Sequence, residues 1–196
     1  GSKILLSHAL PLIEKLQNDG VRFQSKKFQW LGAYDQISQM LAIWHTSPGK
    51  TMGELKSDRN VVLGSMGRSH LSFQWAALLK EAMDAKFRVI PGYPTGGSLN
   101  LAMERGEIAG WVVAWESLAP SNWVQDKRVT VPVQFTLKRM RELPDVPTLI
   151  ESGMPGTVID AWFGIGAPRN TPTDVIEKLN REVNAGLADA KIKAKL

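Results

Sequence analysis

The sequence predicts an α/β fold, and three observations carry that expectation. Between residues 60 and 134 short apolar runs alternate with amphipathic stretches at helical spacing. Glycine-rich turns stand where several of the runs give way to those stretches, and the chain closes on a long amphipathic segment. Alternation of this kind joins parallel strands through helical crossovers. With 196 residues, 43% hydrophobic and 22% charged, the chain can bury a substantial core and fits one large domain or two smaller lobes.

Residues 4–7 read as a short buried strand, and residues 10–16 as a helix with Leu12, Ile13 and Leu16 on one face, ended by Asn18-Asp19-Gly20. Residues 28–33 and 40–45 read as two strands rich in aromatic and aliphatic side chains, stopped by Ser47-Pro48-Gly49. Thr51 followed by Glu54 is a capping-box pattern that opens a short helix. Residues 60–64 are the next strand, and Leu71, Trp75, Leu78, Leu79 and Ala82 mark the buried stripe of a helix. Then follow a strand at 87–90, a helix at 98–105 and a strand at 108–114 whose near-continuous apolar run suits a sheet covered on both faces.

A helix over 117–124 and a strand over 128–134 complete the alternation. The Pro-rich stretch Leu143-Pro144-Asp145-Val146-Pro147 reads as a connection between lobes. Beyond it come a short helix ending at Gly153, a strand around 158–165 and the final helix. There Thr171 is the expected cap, Pro172 fits the first helical position and Asp174 meets the positive end of the dipole. Val175, Ile176, Leu179, Val183 and Leu187 share a face that should pack on a sheet.

The net charge of +5 favours anionic partners in general. The basic residues are spread along the chain, however, and the denser patches at 26–27, 138–141 and 191–196 lack the interleaved aromatics of a nucleic-acid footprint, so we read them as solvated faces. The absence of cysteine excludes disulfides, thiolate zinc sites and cysteine nucleophiles. No apolar run approaches the ~18 residues of a membrane span, and the first residues lack the pattern of a signal peptide. Gly1-Ser2 has the composition of a vector remnant, so we expect natural sequence, including any export signal, upstream of Lys3.

Two strand-loop-helix junctions hold most of the functional signal. Gly64-Ser65-Met66-Gly67-Arg68-Ser69 supplies hydroxyls, backbone donors and a guanidinium just before a helix, a combination suited to a carboxylate or phosphate. The same residues serve an ordinary reading in which Ser69 caps the helix and Arg68 is solvated. In residues 91–98, Tyr93 offers a hydroxyl and a flat ring, while Gly96 and Gly97 let backbone approach a ligand closely; the plain alternative is a tight connection. Parallel sheets bring such loops to one edge. Trp115 and Glu116 follow a third strand there, Trp115 as a wall of the site or as core.

Nucleotide loops and catalytic patterns are missing. Neither junction matches G-x-x-x-x-G-K-[ST] or G-x-G-x-x-G, G-x-S-x-G is absent, and His8, His45 and His70 have no spacing that suggests metal ligands or a triad. We therefore expect no catalytic residue, no metal and no cofactor.

The order of these motifs resembles the substrate-binding proteins of tripartite tricarboxylate transporters, the Bug family. The matching segments are VRFQSKKFQWLG from Val21, the glycine-serine loop at Gly64, PGYPTGGSLNLAMERGEIAG from Pro91, LPDVPTLIESGMPG from Leu143 and AWFGIGAPRNTP from Ala161. The resemblance implies a type II periplasmic binding protein-like fold: two α/β lobes, with a small organic acid held in the cleft. One lobe, residues 41–143, would carry the ligand loops; the other, incomplete, would be assembled from residues 1–40 and 144–196. Positions matching the family's ligand loops are Ser65, Gly67, Arg68, Ser69, Tyr93, Gly96 and Gly97, with Trp162 and Phe163 from the second lobe and Trp115 as the added wall.

Two departures from the family pattern bear on the site. The family's opening strand and Pro-Gly-Gly type loop have no counterpart here, which implies an N-terminally truncated chain lacking part of the anion clamp. Residues 108–114 read IAGWVVA, without the aspartate that family members binding amino-acid-like ligands carry in this strand. A purely anionic ligand is thus favoured over a zwitterion.

The resemblance implies a periplasmic, non-enzymatic solute-binding protein that delivers a small organic carboxylate to membrane transporter subunits, with no role for nucleic acid. Truncation of one lobe would leave sheet edges open to self-association. Two rival functions stand beside this one: an enzyme domain drawing on Glu116, His70 and the loop serines, and a ligand sensor that docks a receptor.

Overall fold

The computed structural model describes residues 5–8, 24–36, 38–157 and 162–193, and the expected helix at 10–16 lies outside them. The chain divides into two compact units, Gly1–Ile37 with Ala161–Leu196, and Ser38–Asp160. The expected boundary at 143 is thus displaced to 160. Gln134 ties residues 143–149 to the second unit. Its backbone N-H donates to Pro147 O at 3.0 Å, its side-chain Nε2 donates to Leu143 O at 3.1 Å and Val146 O at 2.6 Å, and Leu149 N-H returns to Gln134 O at 3.1 Å.

In the first unit, β1 (Leu5–His8) and β2 (Gln29–Gln36) flank β8 (Trp162–Ala167), both antiparallel to it. The final helix (Thr173–Ala188, here α5) packs on β2, where Asn180 Nδ2 donates to Leu31 O at 2.6 Å. It starts one residue later than expected. Thr171 does not cap it: the hydroxyl donates back to Pro168 O at 2.9 Å, and Pro172 takes the cap position with no side-chain bond. Val175, Ile176, Leu179, Val183 and Leu187 are half-buried. A last helical turn, α6, spans Ala190–Lys193.

The second unit holds a five-stranded sheet in the order β5-β4-β6-β3-β7. Its elements in chain order are β3 (Gln39–Trp44), α1 (Met52–Ser57), β4 (Val62–Ser65), α2 (Leu71–Met83), β5 (Arg88–Pro91), α3 (Gly96–Glu104), β6 (Gly110–Ala114), α4 (Trp115–Leu118) and β7 (Val129–Thr130). β4 runs parallel to β5 and β6, whereas β3 is antiparallel to β6 and β7. From β4 the chain steps outward through α2 to β5, then crosses back through α3 to β6. Right-handed crossovers in opposite directions put their helices on opposite faces. The packing agrees: Leu99, Ala102 and Met103 of α3 share one buried cluster with Met40, Ala42, Trp44, Trp111 and Val113, a cluster that contains no α2 residue.

Local chemistry accounts for the element ends. Thr51 caps α1 as expected, accepting from Glu54 N at 3.2 Å, but the Glu54 carboxylate turns to Gly49 and Lys50 N-H instead of completing the box. The buried face of α2 is Leu71, Ser72, Trp75, Ala76 and Leu79, so Leu78 and Ala82 lie off it. The strand expected at 128–134 shrinks to β7, because Pro132 has no N-H for a ladder; Gln134 rejoins as an isolated bridge to Met40 and Thr148. The helix expected at 117–124 begins at Trp115 and stops at Leu118, followed by a 3-10 turn at Ala119–Ser121 that contains Pro120. Before Gly153 the chain forms only turns.

Candidate functional site

The parallel strands β5, β4 and β6 end together, placing residues 66–70, residues 92–95 and Trp115 along one edge of the sheet. The loops after β4 and β5 leave for opposite faces, and loops diverging from adjacent strands open a crevice at their carboxyl ends. One carbonyl ties the two loops together: Ser65 O accepts from Gly92 N at 3.1 Å and from Tyr93 N at 3.2 Å.

The first loop is shaped from within. His70, half-buried, is the N-cap of α2: its Nδ1 accepts from Ser72 N at 3.1 Å and lies 3.0 Å from Ser72 Oγ, which itself accepts from Met66 N at 3.2 Å. Ser69, given as the cap in the ordinary reading of the sequence, stands one residue outside, exposed, with its carbonyl accepting from Gln74 Nε2. His70 N-H closes the turn on Gly67 O at 3.0 Å. The N-H groups of Gly67, Arg68 and Ser69 have no acceptor among the described residues. Arg68 is exposed with its guanidinium 5.5 Å from the Phe73 ring centre. Ser65 is fully buried, and its hydroxyl is directed at Ile90 O, 3.5 Å away.

In the second loop Gly96 and Gly97 are not loop residues but the first two residues of α3, two positions ahead of the expected start. Thr95 and Ser98 form a reciprocal capping box, each accepting the other's backbone N-H at 3.1 Å, and Leu99 N-H goes to Thr95 O. The first two N-H groups of a helix have no partner within it, and those of Gly96 and Gly97 find no acceptor among the described residues. A Cβ on Gly96 would stand 3.2 Å from Trp111 Cη2, so glycine lets the helix start sit directly on that indole. Asn100 Oδ1 fixes the indole by accepting from its Nε1 at 3.1 Å.

Tyr93 is half-buried, with its ring over Gly64: a Cβ there would lie 3.4 Å from Tyr93 Cε2. Burial, and then the Glu107 carboxylate, push its phenol above the usual 10.0, so at neutral pH the hydroxyl is a donor. Trp115 is half-buried against the α3-side cluster, and its N-H bonds Ser38 O at 2.8 Å. Trp162 and Phe163 lie on β8 of the first unit, opposite Gln36 and Asp35 in β2. The supports that the sequence reading passed over are His70 as cap, Thr95, Ser98, Trp111 and Asn100. The Thr95-to-Ser98 spacing was a usable signal; the Trp111–Asn100 pair, eleven residues apart across a helix-strand turn, left none.

Chemically, the edge gathers five backbone N-H groups, the Ser69 hydroxyl and a guanidinium, together with the positive end of a nine-residue helix. That array suits an anion. No group of three or more His, Cys, Asp or Glu side chains able to hold a metal occurs among the described residues.

Residues 17–196 match the family model described as tripartite tricarboxylate transporter family receptor. Among curated proteins the chain is similar to the BugT protein of Bordetella pertussis, 41% identical over 102 residues covering 47% of this chain and 31% of BugT. It is also similar to a UPF0065 protein of Agrobacterium vitis, 26% identical over 137 residues covering 70% of this chain and 39% of that protein. The chain thus spans about two fifths or less of the length of these relatives. Among solved structures, MatC of Rhodopseudomonas palustris with bound malate superposes with a TM-score of 0.81 at 21% identity, covering 98% of this chain and 67% of MatC. The periplasmic binding protein BugD gives 0.73 at 24% identity, covering 97% and 65%. An R. palustris protein with adipate gives 0.69 at 21% identity, covering 86% and 57%. These likenesses establish a type II periplasmic binding protein-like fold, present here in part.

Proposed function

The chain belongs to the tripartite tricarboxylate transporter receptor family, and from that membership we propose that it is a periplasmic solute-binding protein that captures a small organic carboxylate for membrane transporter subunits. The observation that carries this reading is the set of N-H groups at the ends of β4 and β5, those of Gly67, Arg68, Ser69, Gly96 and Gly97, which have no acceptor among the described residues. A carboxylate oxygen accepts two or three such donors, and bonds of this kind to a charged group are about twice as strong as neutral ones. Arg68 adds charge at the rim, Tyr93 a protonated phenol, and Trp115 an apolar wall. The structures of MatC with bound malate and of the R. palustris protein with adipate support the ligand class. β6 carries no acidic side chain, which favours a purely anionic ligand over an amino acid.

An enzymatic role finds less support. His70 Nδ1, the base nearest the loop, is engaged in capping α2. The test is calorimetric titration of malate, adipate and citrate, with a neutral amide and an amino acid as controls, into this chain and into a version carrying its natural flanking sequence. Saturable 1:1 binding of a carboxylate alone is expected. Binding of the amide as tightly as the acid, or of no acid by either version, would remove the proposal.

A further inference from the structure

The seven methionines fall into two groups. Met40, Met103 and Met140 belong to the central buried cluster of the second unit, and Met66 packs against it. The other three, Met52, Met83 and Met154, line one surface cavity of about 350 Å³. They come from three separate segments: Met52 opens α1, Met83 ends α2, and Met154 follows the turn at residues 149–153, with Met52 and Met83 half-buried and Met154 9% exposed. We propose that Met52, Met83 and Met154 form a three-thioether site for a soft monovalent cation, Cu(I) by ligand chemistry.

Thioether sulfur is a neutral, polarisable donor that selects Cu(I) and its analogue Ag(I) over hard divalent ions. It needs no deprotonation to bind. Unbranched methionine side chains adjust readily around a small ion. The cavity also receives the carboxyl end of the thirteen-residue α2, where the helix dipole favours a positive charge. Because the chain has no cysteine and none of its histidines lines the cavity, soft-metal affinity would have few other sources. The site is remote from the carboxylate crevice, since α2 begins at the first ligand loop and ends here, about 20 Å away at ~1.5 Å per residue. Lys56 is the one opposing group, an exposed ammonium at the rim.

The test uses Ag(I), which undergoes no redox chemistry under the conditions, titrated in chloride-free buffer into protein labelled with ¹³C at the methionine methyls. Saturation at one equivalent is expected, moving the Met52, Met83 and Met154 signals and leaving the other four in place. Affinity should hold from about pH 7.5 to 5.5, a range over which an imidazole site would weaken as it protonates. Met83→Leu and Met52→Leu should each weaken binding at least about tenfold. Lys56→Gln should tighten it, by no more than several-fold, since it removes an exposed like charge from the lining in water-like surroundings.

No shift under excess Ag(I), shifts spread over all seven methyls, loss of affinity at the acid end, or leucine variants that bind like the parent would each overturn the proposal. The labelled parent protein decides the matter even if a variant folds poorly. Malate or adipate added alone should leave the three signals unmoved, so failure of the carboxylate reading and failure of this one are read separately.

Discussion

Gly110→Ala should be among the most damaging single-methyl additions to this chain. Gly110 opens β6, an interior strand, and pairs with Ile43 of β3 and Leu63 of β4. A Cβ there would fall on Ala42 O and come within 2.7 Å of Ile43 Cδ1. A side-chain tip can rotate away, but the Ala42 carbonyl is held in the β3–β6 ladder, beside the 2.8 Å bond from Trp44 N to Ala109 O. Relief therefore means opening about two ladder hydrogen bonds at roughly 1 kcal/mol each, on top of an overpacking cost of about 1–3 kcal/mol. The sum, about 3–5 kcal/mol, is a large part of the 5–15 kcal/mol typical of a domain, and at this size lowers Tm by roughly 10–20 °C. Urea unfolding followed by tryptophan fluorescence reads it well, since Trp44, Trp75, Trp111, Trp115 and Trp123 all lie in the second unit. Gly67→Ala is the control: a Cβ there meets nothing within 4 Å, so its effect should stay within about 0.5 kcal/mol. A Gly110→Ala protein within about 1 kcal/mol of the parent, or a Gly67→Ala protein equally damaged, would refute the steric reasoning.

Three further outcomes are expected. Gln134 is fully buried and its side chain makes four hydrogen bonds, donating to Leu143 O and Val146 O and accepting from Met140 N and Thr136 Oγ1; Gln134→Leu should cost about 3–5 kcal/mol and expose Lys138, Arg139 and Arg141 to trypsin, whereas unchanged digestion would clear Gln134 of holding this segment. The Arg139 guanidinium, then the Thr148 N-H, hold the Glu151 carboxyl below its ordinary 4.5. Its contribution is therefore present above that value and lost as pH falls through the lower native one, so the protection of the amides in residues 148–152, measured relative to their intrinsic exchange rate at each pH, should fall in acid, and Glu151→Gln should flatten that profile. Gly96→Pro deletes one of the proposed ligand donors, and Thr95 before it is already extended at φ −147° and ψ 164°; because any Cβ here crowds Trp111 Cη2 at 3.2 Å, the comparison is with Gly96→Ala, relative to which carboxylate affinity should fall by about 1.5–3 kcal/mol, and equal affinity of the two variants would take this donor out of the site.

Periodicity carried most of the architecture because the core strands and helices of the second unit follow it closely. β3, β4, β5 and β6 each lie within two residues of their expected places, since short apolar runs set between polar or glycine-containing stretches mark a strand whether it is buried, as β3 is, or half-exposed, as β5 is. The misses have local causes. Thr171 offered a cap but its hydroxyl found Pro168 O within its own turn, and Pro132 cut a strand whose side-chain pattern was otherwise continuous. The lobe boundary went astray for a longer-range reason: residues 143–147 look like a linker by composition, yet one buried glutamine binds three of their carbonyls and ties them to the second unit. A single polar side chain inside an apolar run gave no sign of that reach.

The crevice shows why its residues were legible as positions and less so as roles. Most of its donors are main-chain N-H groups, which any residue supplies, so only the glycines and caps that set their direction leave a mark in sequence. Those glycines matter for what rests on them: Trp111 on Gly96 and Tyr93 on Gly64, both at backbone angles open to other residues. Ser65 reverses the expectation in an informative way. Its hydroxyl is buried against Ile90 O, while its carbonyl takes both N-H groups at the start of the second loop. The residue thus joins the two loops of the proposed anion site through its backbone, so that the donors of one loop are set by the same strand end as those of the other.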